Sequence, residues 1–468
     1  MTVQGSRSLE HTRARAKEYA QHHLAPRALR LDHRIGQDPT YFDWDLVRAG
    51  LPYRMLSEVI PRQVGGSGGL AAHEAVLLEE LAAACPGAAN LFGAHALGIL
   101  PLLLAGPGHW VGVLREIAEA ERRGQPLLMA CAITEPDAGT DVEDPDLLRT
   151  ARIGSHARRV PGGYRLSGTK RFISNGNVAR WITVIMPTDP RYPAQTWSAF
   201  LVDTRSEGFS VGRIEHKMGQ RVSPAAELHF DDVFVPDEAI VGREGDGVAG
   251  TVGTLAASRA PVAAIATGIA RGAYERLLAW LEQDRHAHGL IEREHVQLTL
   301  ARMAEEIHIA RHTYLTAAQE FDRTVGPALT HPLVRALGLI PSFIWQHRAA
   351  QQRLHAPWVG EQTINVLRHA TTDRAVTASL ALSSMAKAHC ADVAMWATGA
   401  ALDIAGLAAG PVRAELEMLW RDAKLTQIYE GTNQLNRLTV YRGLCRGQTL
   451  PALPPLVGHG ARATAGPK

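Results

Sequence analysis

The chain changes its hydrophobic period twice, and that double change limits the folds open to it. Up to about residue 125 apolar residues recur at helical spacing, as in AHEAVLLEELAAACPGAANLFGAHALGILPLLLA. Within this block PRQVGGSGG (61–69) marks a loop. Near Pro126 the runs shorten to PLLMACAIT, YRLSGTKRFISNG, ARWITVIM, SAFLVDT and AELHFDDVFVP, divided by Gly, Pro, Asn and Asp. Several alternate apolar with polar residues, the period of strands. After Thr251 long helical patterns resume, in TLAASRAPVAAIATGIARGAYERLLAWLEQ and HVQLTLARMAEEIHIARHTYLTAAQEF, and their length predicts a bundle. The expected class is therefore α+β. A helical domain covers 1–128, a β domain 129–241 and a helical bundle 242–447, with a flexible tail rich in Pro, Gly and Ala at 448–468.

Composition narrows the partners. The 468 residues suffice for two or three domains, and 46% hydrophobic with 21% charged residues describes a globular protein with a sizeable core. Basic and acidic residues number 49 and 47, so the net charge of +2 gives no reason to expect nucleic acid or an anionic membrane. Cys85, Cys131, Cys390 and Cys445 show no short pair spacing, which argues against a zinc site or disulfide framework and for a reducing, cytoplasmic setting. Apolar stretches such as 96–106 read as too short to span a membrane. Arg7, Arg13 and Arg15 are mixed with Glu10 and Glu18, which reads as a surface helix and not a targeting peptide. The 21 histidines suggest no metal-ligand spacing on one helix, and His22 and His23 read as surface residues.

Three short stretches carry polar groups at element ends. In IYEGTNQLNR (428–437) Glu430 precedes Gly431, whose missing Cβ permits unusual dihedrals and close approach of a ligand. A helix end capped by Gly431 accounts for the same residues. In CAITEPDAGTD (131–141) hydroxyls and backbone N–H groups cluster at a strand end, suited to the polar edge of a flat heterocycle and a phosphate, or simply to a Pro-containing turn. In GTKRFISNG (168–176) the Asn-Gly pair predicts a hairpin, while Phe172 and Ser174 could form a stacking wall and a donor. Gly245, Gly247 and Gly250 match the spacing of a dinucleotide fingerprint, but a long helix follows and no second strand does, so that reading is rejected.

Taken in order, AITEPDAGTD, GTKRFISNG, GFSVGRIEHKMGQRVSPAAELHFDDVFVP, SRAPVAA and RDAKLTQIYEGTNQ resemble the acyl-CoA dehydrogenase family over roughly residues 20–445. The resemblance implies an N-terminal helical domain, a central β-barrel or sandwich domain and a C-terminal four-helix bundle. It also implies FAD between the last two, in a homotetramer or homodimer. By position, Cys131, Ile133, Thr134 and Thr140 would line the flavin, with Phe172, Ile173 and Ser174 against its ring and N5 edge. Arg285 would reach the FAD of a neighbouring subunit, and Thr432 and Gln434 would touch the cofactor from the other side. Thr140, Arg259 and Gly431 would lie on the thioester side.

Glu430 matches the family's catalytic base, taking the α proton of an acyl thioester while a hydride leaves Cβ for flavin N5. The Glu430 N–H and a flavin ribityl hydroxyl would hold the thioester oxygen as charge develops there. Burial should raise the carboxyl's pKa toward neutrality. The thioester could be carried by CoA or by an acyl carrier protein, and electrons would pass to an electron-transfer flavoprotein. A specialised biosynthetic substrate fits as well as fatty-acid degradation. Three departures stand out: His288, Gly406-Leu407, and an insertion at about 325–375 that contains Trp345 and Trp358. A long insertion of this kind suits a cover over an active-site mouth, a carrier-protein contact or an elaborated surface equally. Two alternatives stand beside it: a flavin oxidase or monooxygenase relative using O2, against which Glu430 argues, and a DNA-binding member of the fold, against which the charge balance argues.

Overall fold

The N-terminal third packs its helices around two that are apolar on nearly every side. The computed structural model describes residues 3–105, 107–283, 289–329, 373–406 and 410–445. Within these, α1 (Val3–Tyr19), α2 (Ala28–Gln37), α3 (Trp44–Gly50), α4 (Ala71–Ala84), α5 (Pro86–Ala105) and α6 (Pro107–Arg122) precede the first strand. α1 is more than a surface helix, since Thr12, Ala16 and Tyr19 are buried and the Tyr19 hydroxyl donates to the Leu46 carbonyl at 2.8 Å. Extended backbone at Cys85 ends α4, and Pro86 opens α5 where a missing N–H costs nothing. α5 is long and apolar enough to cross a bilayer by length and composition, contrary to the sequence reading, and so is α8 (Gly247–Gln283). The protein buries 72% and 89% of their most apolar windows, as it does for core helices.

Eight strands follow: β1 (Met129–Ala132), β2 (His156–Val160), β3 (Gly163–Ser174), β4 (Trp181–Pro187), β5 (Trp197–Asp203), β6 (Phe209–Ile214), β7 (Ala225–Pro236) and β8 (Ile240–Val241), with a short helix α7 (Pro193–Thr196) before β5. They form two four-stranded sheets, ordered β1-β4-β5-β8 and β2-β3-β7-β6. Ile182, Val184, Phe200 and Val202 of one sheet meet Leu166, Ile173, Leu228 and Phe230 of the other in a separate apolar core, so the domain is a sandwich.

The Asn175-Gly176 turn is not the hairpin its residues predict. β3 pairs with β2 and β7, whereas β4 pairs with β1 and β5, so the turn carries the chain from one sheet to the other. Asn175 is fully buried with φ 62°, and its Nδ2 donates to the Leu91 carbonyl of α5 at 2.9 Å, a tertiary bond that overrides the local preference.

After β8 the bundle consists of α8, α9 (Glu294–Leu329), α10 (Asp373–Ala405) and α11 (Gly410–Thr426), followed by α12 (Asn433–Cys445). α8 begins at Gly247, which confirms that the three glycines open a helix and no dinucleotide unit. α9 continues eight residues past Phe321, where the sequence reading ended it, and the rest of the expected insertion, 330–372, lies outside the described residues. His308 and His312 stand four apart on α9 with their Nε2 atoms 3.1 Å apart, a helical His pair that the sequence reading overlooked. His95 is buried between the Leu56 carbonyl and the Met129 N–H.

Charged contacts fix the bundle to the other layers. Asp322 of α9 accepts from the Ala71 and Ala72 N–H groups at 2.8 and 3.1 Å, capping α4, whose N-cap residue Leu70 has no side chain able to do so. Buried Glu79 of α4 bonds Arg311 and Tyr314 of α9 and Arg271 of α8. Arg421 of α11 pairs with Asp32 of α2 at 2.7 Å, and Asp422 accepts from the Gln220 N–H of the β domain.

Candidate active site

α11 stops at Thr426, so Gly431 is not its C-cap; four residues of turn separate the helix from this glycine. Glu430 has φ 54° and Gly431 φ 77°. Left-handed backbone is uncommon for a glutamate and persists only where surroundings enforce it. Here they do. Arg259 Nε of α8 donates to the Glu430 carbonyl at 3.1 Å. Lys387 Nζ of α10 donates to the Gly431 carbonyl at 2.6 Å, and Asn436 Nδ2 of α12 reaches the same oxygen at 2.8 Å. A Cβ on Gly431 would lie 2.9 Å from both Arg259 Nη2 and Glu143 Oε2, so glycine spares a shift of these groups as well as suiting the conformation. Thr432 caps α12, its Oγ1 accepting from the Leu435 N–H at 3.2 Å.

The turn presents the Glu430 side chain to a cleft between the β domain and the helices, with about 910 Å³ of space including its open mouth. Ser258 of α8 donates from Oγ to Glu430 Oε2 at 2.6 Å and fixes the carboxyl's direction. Arg259, 1% exposed, is held by Ser384 at 2.8 Å and Glu143 at 3.3 Å, so its guanidinium braces the turn from behind. Burial raises the Glu430 pKa above the ordinary carboxylate value, while the Ser258 bond and the Arg259 and Lys387 charges hold it down. Burial likewise pushes Glu143 up to about 7 and Lys387 down to about 7.

Cys131, Ile133, Thr134, Phe172, Ile173 and Ser174 all line this cleft opposite Glu430 and Ser258. The strand ends bearing them are tied together by Lys170, fully buried, whose Nζ donates to the Ile133 carbonyl at 2.9 Å and to Glu135 Oε1 at 2.8 Å. Phe172 is 54% exposed with φ 59°, an apolar ring turned outward at the end of β3. Burial pushes the Cys131 thiol up to about 12, so it stays neutral. Thr140 opens the short turn Thr140–Glu143 and does not itself line the cleft, nor do Thr432, Gln434, Arg259 and Gly431; Gln434 is exposed. Arg285 and His288 lie outside the described residues. Sequence reasoning missed Ser258, Glu143, Lys387 and Glu74, of which only Ser258 adjoins a residue already singled out.

Family models describe the same three parts. The acyl-CoA dehydrogenase N-terminal domain matches residues 6–108, the middle domain 130–233, and the C-terminal domain 245–334 and 343–445. Cyclohex-1-ene-1-carbonyl-CoA dehydrogenase of Geobacter metallireducens is 32% identical over 431 residues, 92% of this chain and 95% of that protein. The protein of the same name from Syntrophus aciditrophicus is 31% identical over 425 residues, 90% of this chain and 86% of that protein. Among solved structures, butyryl-CoA dehydrogenase of Megasphaera elsdenii matches with a TM-score of 0.74 at 25% identity, over 94% of this chain and 98% of that one. With all three domains matched and a relative of this identity aligned along most of its length, the chain belongs to the acyl-CoA dehydrogenase family.

Proposed function

We propose that the protein binds FAD in the cleft and desaturates an acyl thioester between Cα and Cβ, with Glu430 as the base. Acyl-CoA dehydrogenases are flavin-dependent oxidoreductases acting on CH–CH groups, and membership alone supports the dehydrogenation of an acyl-CoA. The residues present suit the cofactor. A face with Phe172, Ile173, Cys131 and Ile133 offers a flat heterocycle apolar contact, and the Thr134 and Ser174 hydroxyls offer it polar partners. When bound, FAD supplies the hydride acceptor.

The chain's own residues do the rest. Ionised Glu430 removes the α proton, and Ser258, donating to Oε2, leaves Oε1 to face the substrate. The Glu430 N–H has no acceptor among the described residues and is free to donate to the thioester oxygen as negative charge gathers there. Arg259 and Lys387 hold the backbone on which both groups ride, so that base and donor stay in register. Thr140, Thr432 and Gln434 lie outside the cleft lining and in this reading meet only the parts of the cofactor that extend beyond it, while Gly431 acts through the shape of the turn. An electron-transfer flavoprotein takes the electrons, and the assembly is a homodimer or homotetramer in which Arg285 meets a second subunit's cofactor.

The observation that carries the reading is the Glu430 carboxyl on a cleft wall, aimed by Ser258 and facing the strand-end residues. The visible spectrum of the purified protein tests it first, followed by anaerobic bleaching with a panel of thioesters on CoA and on acyl carrier protein. A flavin spectrum that an acyl thioester bleaches is expected. A protein that takes up no FAD, or a flavin that no thioester reduces, would overturn it, and rapid O2 consumption during turnover would favour the oxidase reading.

A further inference from the structure

α4 places an acid on the walls of both the cleft and a second space. Glu74 lines the Glu430 cleft and also a neighbouring cavity of about 960 Å³, walled by apolar side chains such as Leu70, Leu103 and Phe321 and by Arg62 and Gln63. Its residue is 5% exposed, yet among the described residues its carboxyl makes no hydrogen bond and no ion pair. Other buried acids of this protein are matched: Glu79 by two arginines and a tyrosine, Asp322 by two backbone N–H groups, Glu135 by Lys170 and Ser155. A buried carboxyl left unmatched is costly, and a plain hydrocarbon chain filling this space would leave it so.

The charge around Glu74 states what can approach it. The charged groups that act on it are all acids, Glu430, Glu58 and Asp322, and together with burial they push its pKa up to about 8. The carboxyl is thus protonated at neutral pH and presents an O–H donor to a space whose other polar side chains are Arg62 and Gln63. A second carboxylate would meet that same repulsion, and an amine would have to ionise Glu74 at the cost of burying both charges. An uncharged oxygen accepts the bond without either cost.

Building on the dehydrogenase reading of the cleft, we propose that Glu74 is a specificity residue that binds an uncharged oxygen, a hydroxyl, ether or carbonyl, borne by the acyl group beyond the reacting carbons. The substrate class is then an oxygenated acyl thioester and not a plain saturated one. A site built to hydrogen-bond a substrate oxygen discriminates strongly against the analogue lacking it, because its own donor is then stranded.

Anaerobic flavin bleaching by length-matched thioesters, alkyl, hydroxyalkyl or oxoalkyl, and aminoalkyl, tests this on the holoenzyme. The best oxygenated chain should exceed its alkyl counterpart in kcat/KM by about tenfold or more. Glu74→Leu should erase or reverse that ratio while alkyl chains still bleach the flavin, and Glu74→Gln, which keeps a donor, should preserve it. Equilibrium binding of the same thioesters to the unmutated protein reads the preference without relying on any variant. Equal use of alkyl and oxygenated chains, a preference for the amine, or a ratio unmoved by Glu74→Leu would overturn the assignment while leaving the dehydrogenase reading intact. Failure of every thioester to bleach would remove the reading itself.

Discussion

The Ser258 hydroxyl lies 2.6 Å from Glu430 Oε2, so a bundle helix aims an acid that a distant turn presents. This bond favours the ionised carboxyl and opposes the larger effect of burial. Ser258→Ala should therefore raise the Glu430 pKa, moving the acid limb of the kcat/KM profile to higher pH. Well above that limb the rate should stay within about an order of magnitude of the parent, since a single positioning hydrogen bond is lost. A profile that superimposes on the parent's would dissociate Ser258 from the base.

Glu430→Gln retains shape and hydrogen-bonding capacity but cannot accept the α proton. Removing a general base costs typically 10² to 10⁴ in rate. Flavin content should be unchanged while the anaerobic bleaching rate falls by about a thousandfold, read by stopped flow. Parent-like bleaching would transfer the role to another group on the cleft, where Glu143 and Glu74 also carry carboxyls.

Much of this arrangement is legible in the chain, and what is hidden is hidden for physical reasons. The switch from helical to strand period separates the layers, and Glu430, Cys131, Phe172 and Ser174 do share one cleft. Their polar groups sit at element ends, where local sequence carries a signal. Glu74 was not readable, because the period of α4 alone does not reveal that other helices cover its polar positions too. Ser258 lies in a run of small residues whose partner is 172 residues away. Asn175-Gly176 shows the opposite failure: the turn was predicted, but pairing across sheets decides which strands it joins.

Gly431→Ala tests the turn itself. The added Cβ would approach Arg259 Nη2 and Glu143 Oε2 to 2.9 Å at φ 77°, so one or both must move, and Arg259 also holds the Glu430 carbonyl. A residue forced into this region costs about 1 to 3 kcal/mol, so in a chain of this size the melting temperature should fall by about 1 to 3 degrees. The bleaching rate should fall further than stability alone explains, because the clash moves Glu430. Unchanged kinetics with a lowered melting temperature would show that the turn can relax without displacing the base.

The buried acids give stability a pH dependence whose sign can be worked out. Glu74, at about 8 in the folded protein against 4.5 for a free carboxyl, binds its proton more tightly folded than unfolded, and Asp322 and Asp422, both about 7, do likewise. Where the native state holds more protons, stability falls as pH rises, here from about pH 4.5 up to the folded values. His95, lowered to about 4, acts in the opposite sense over part of this range, as does Lys387 above about 7. Comparing the parent with Glu74→Gln cancels both and isolates one carboxyl. Between pH 5 and 7.5 the parent should lose up to about 1.4 kcal/mol per pH unit more than the variant, measured by denaturant midpoints of the holoenzyme. Parallel curves would mean that Glu74 is ionised or solvated in the folded protein, and its carboxyl could then not serve as a neutral donor.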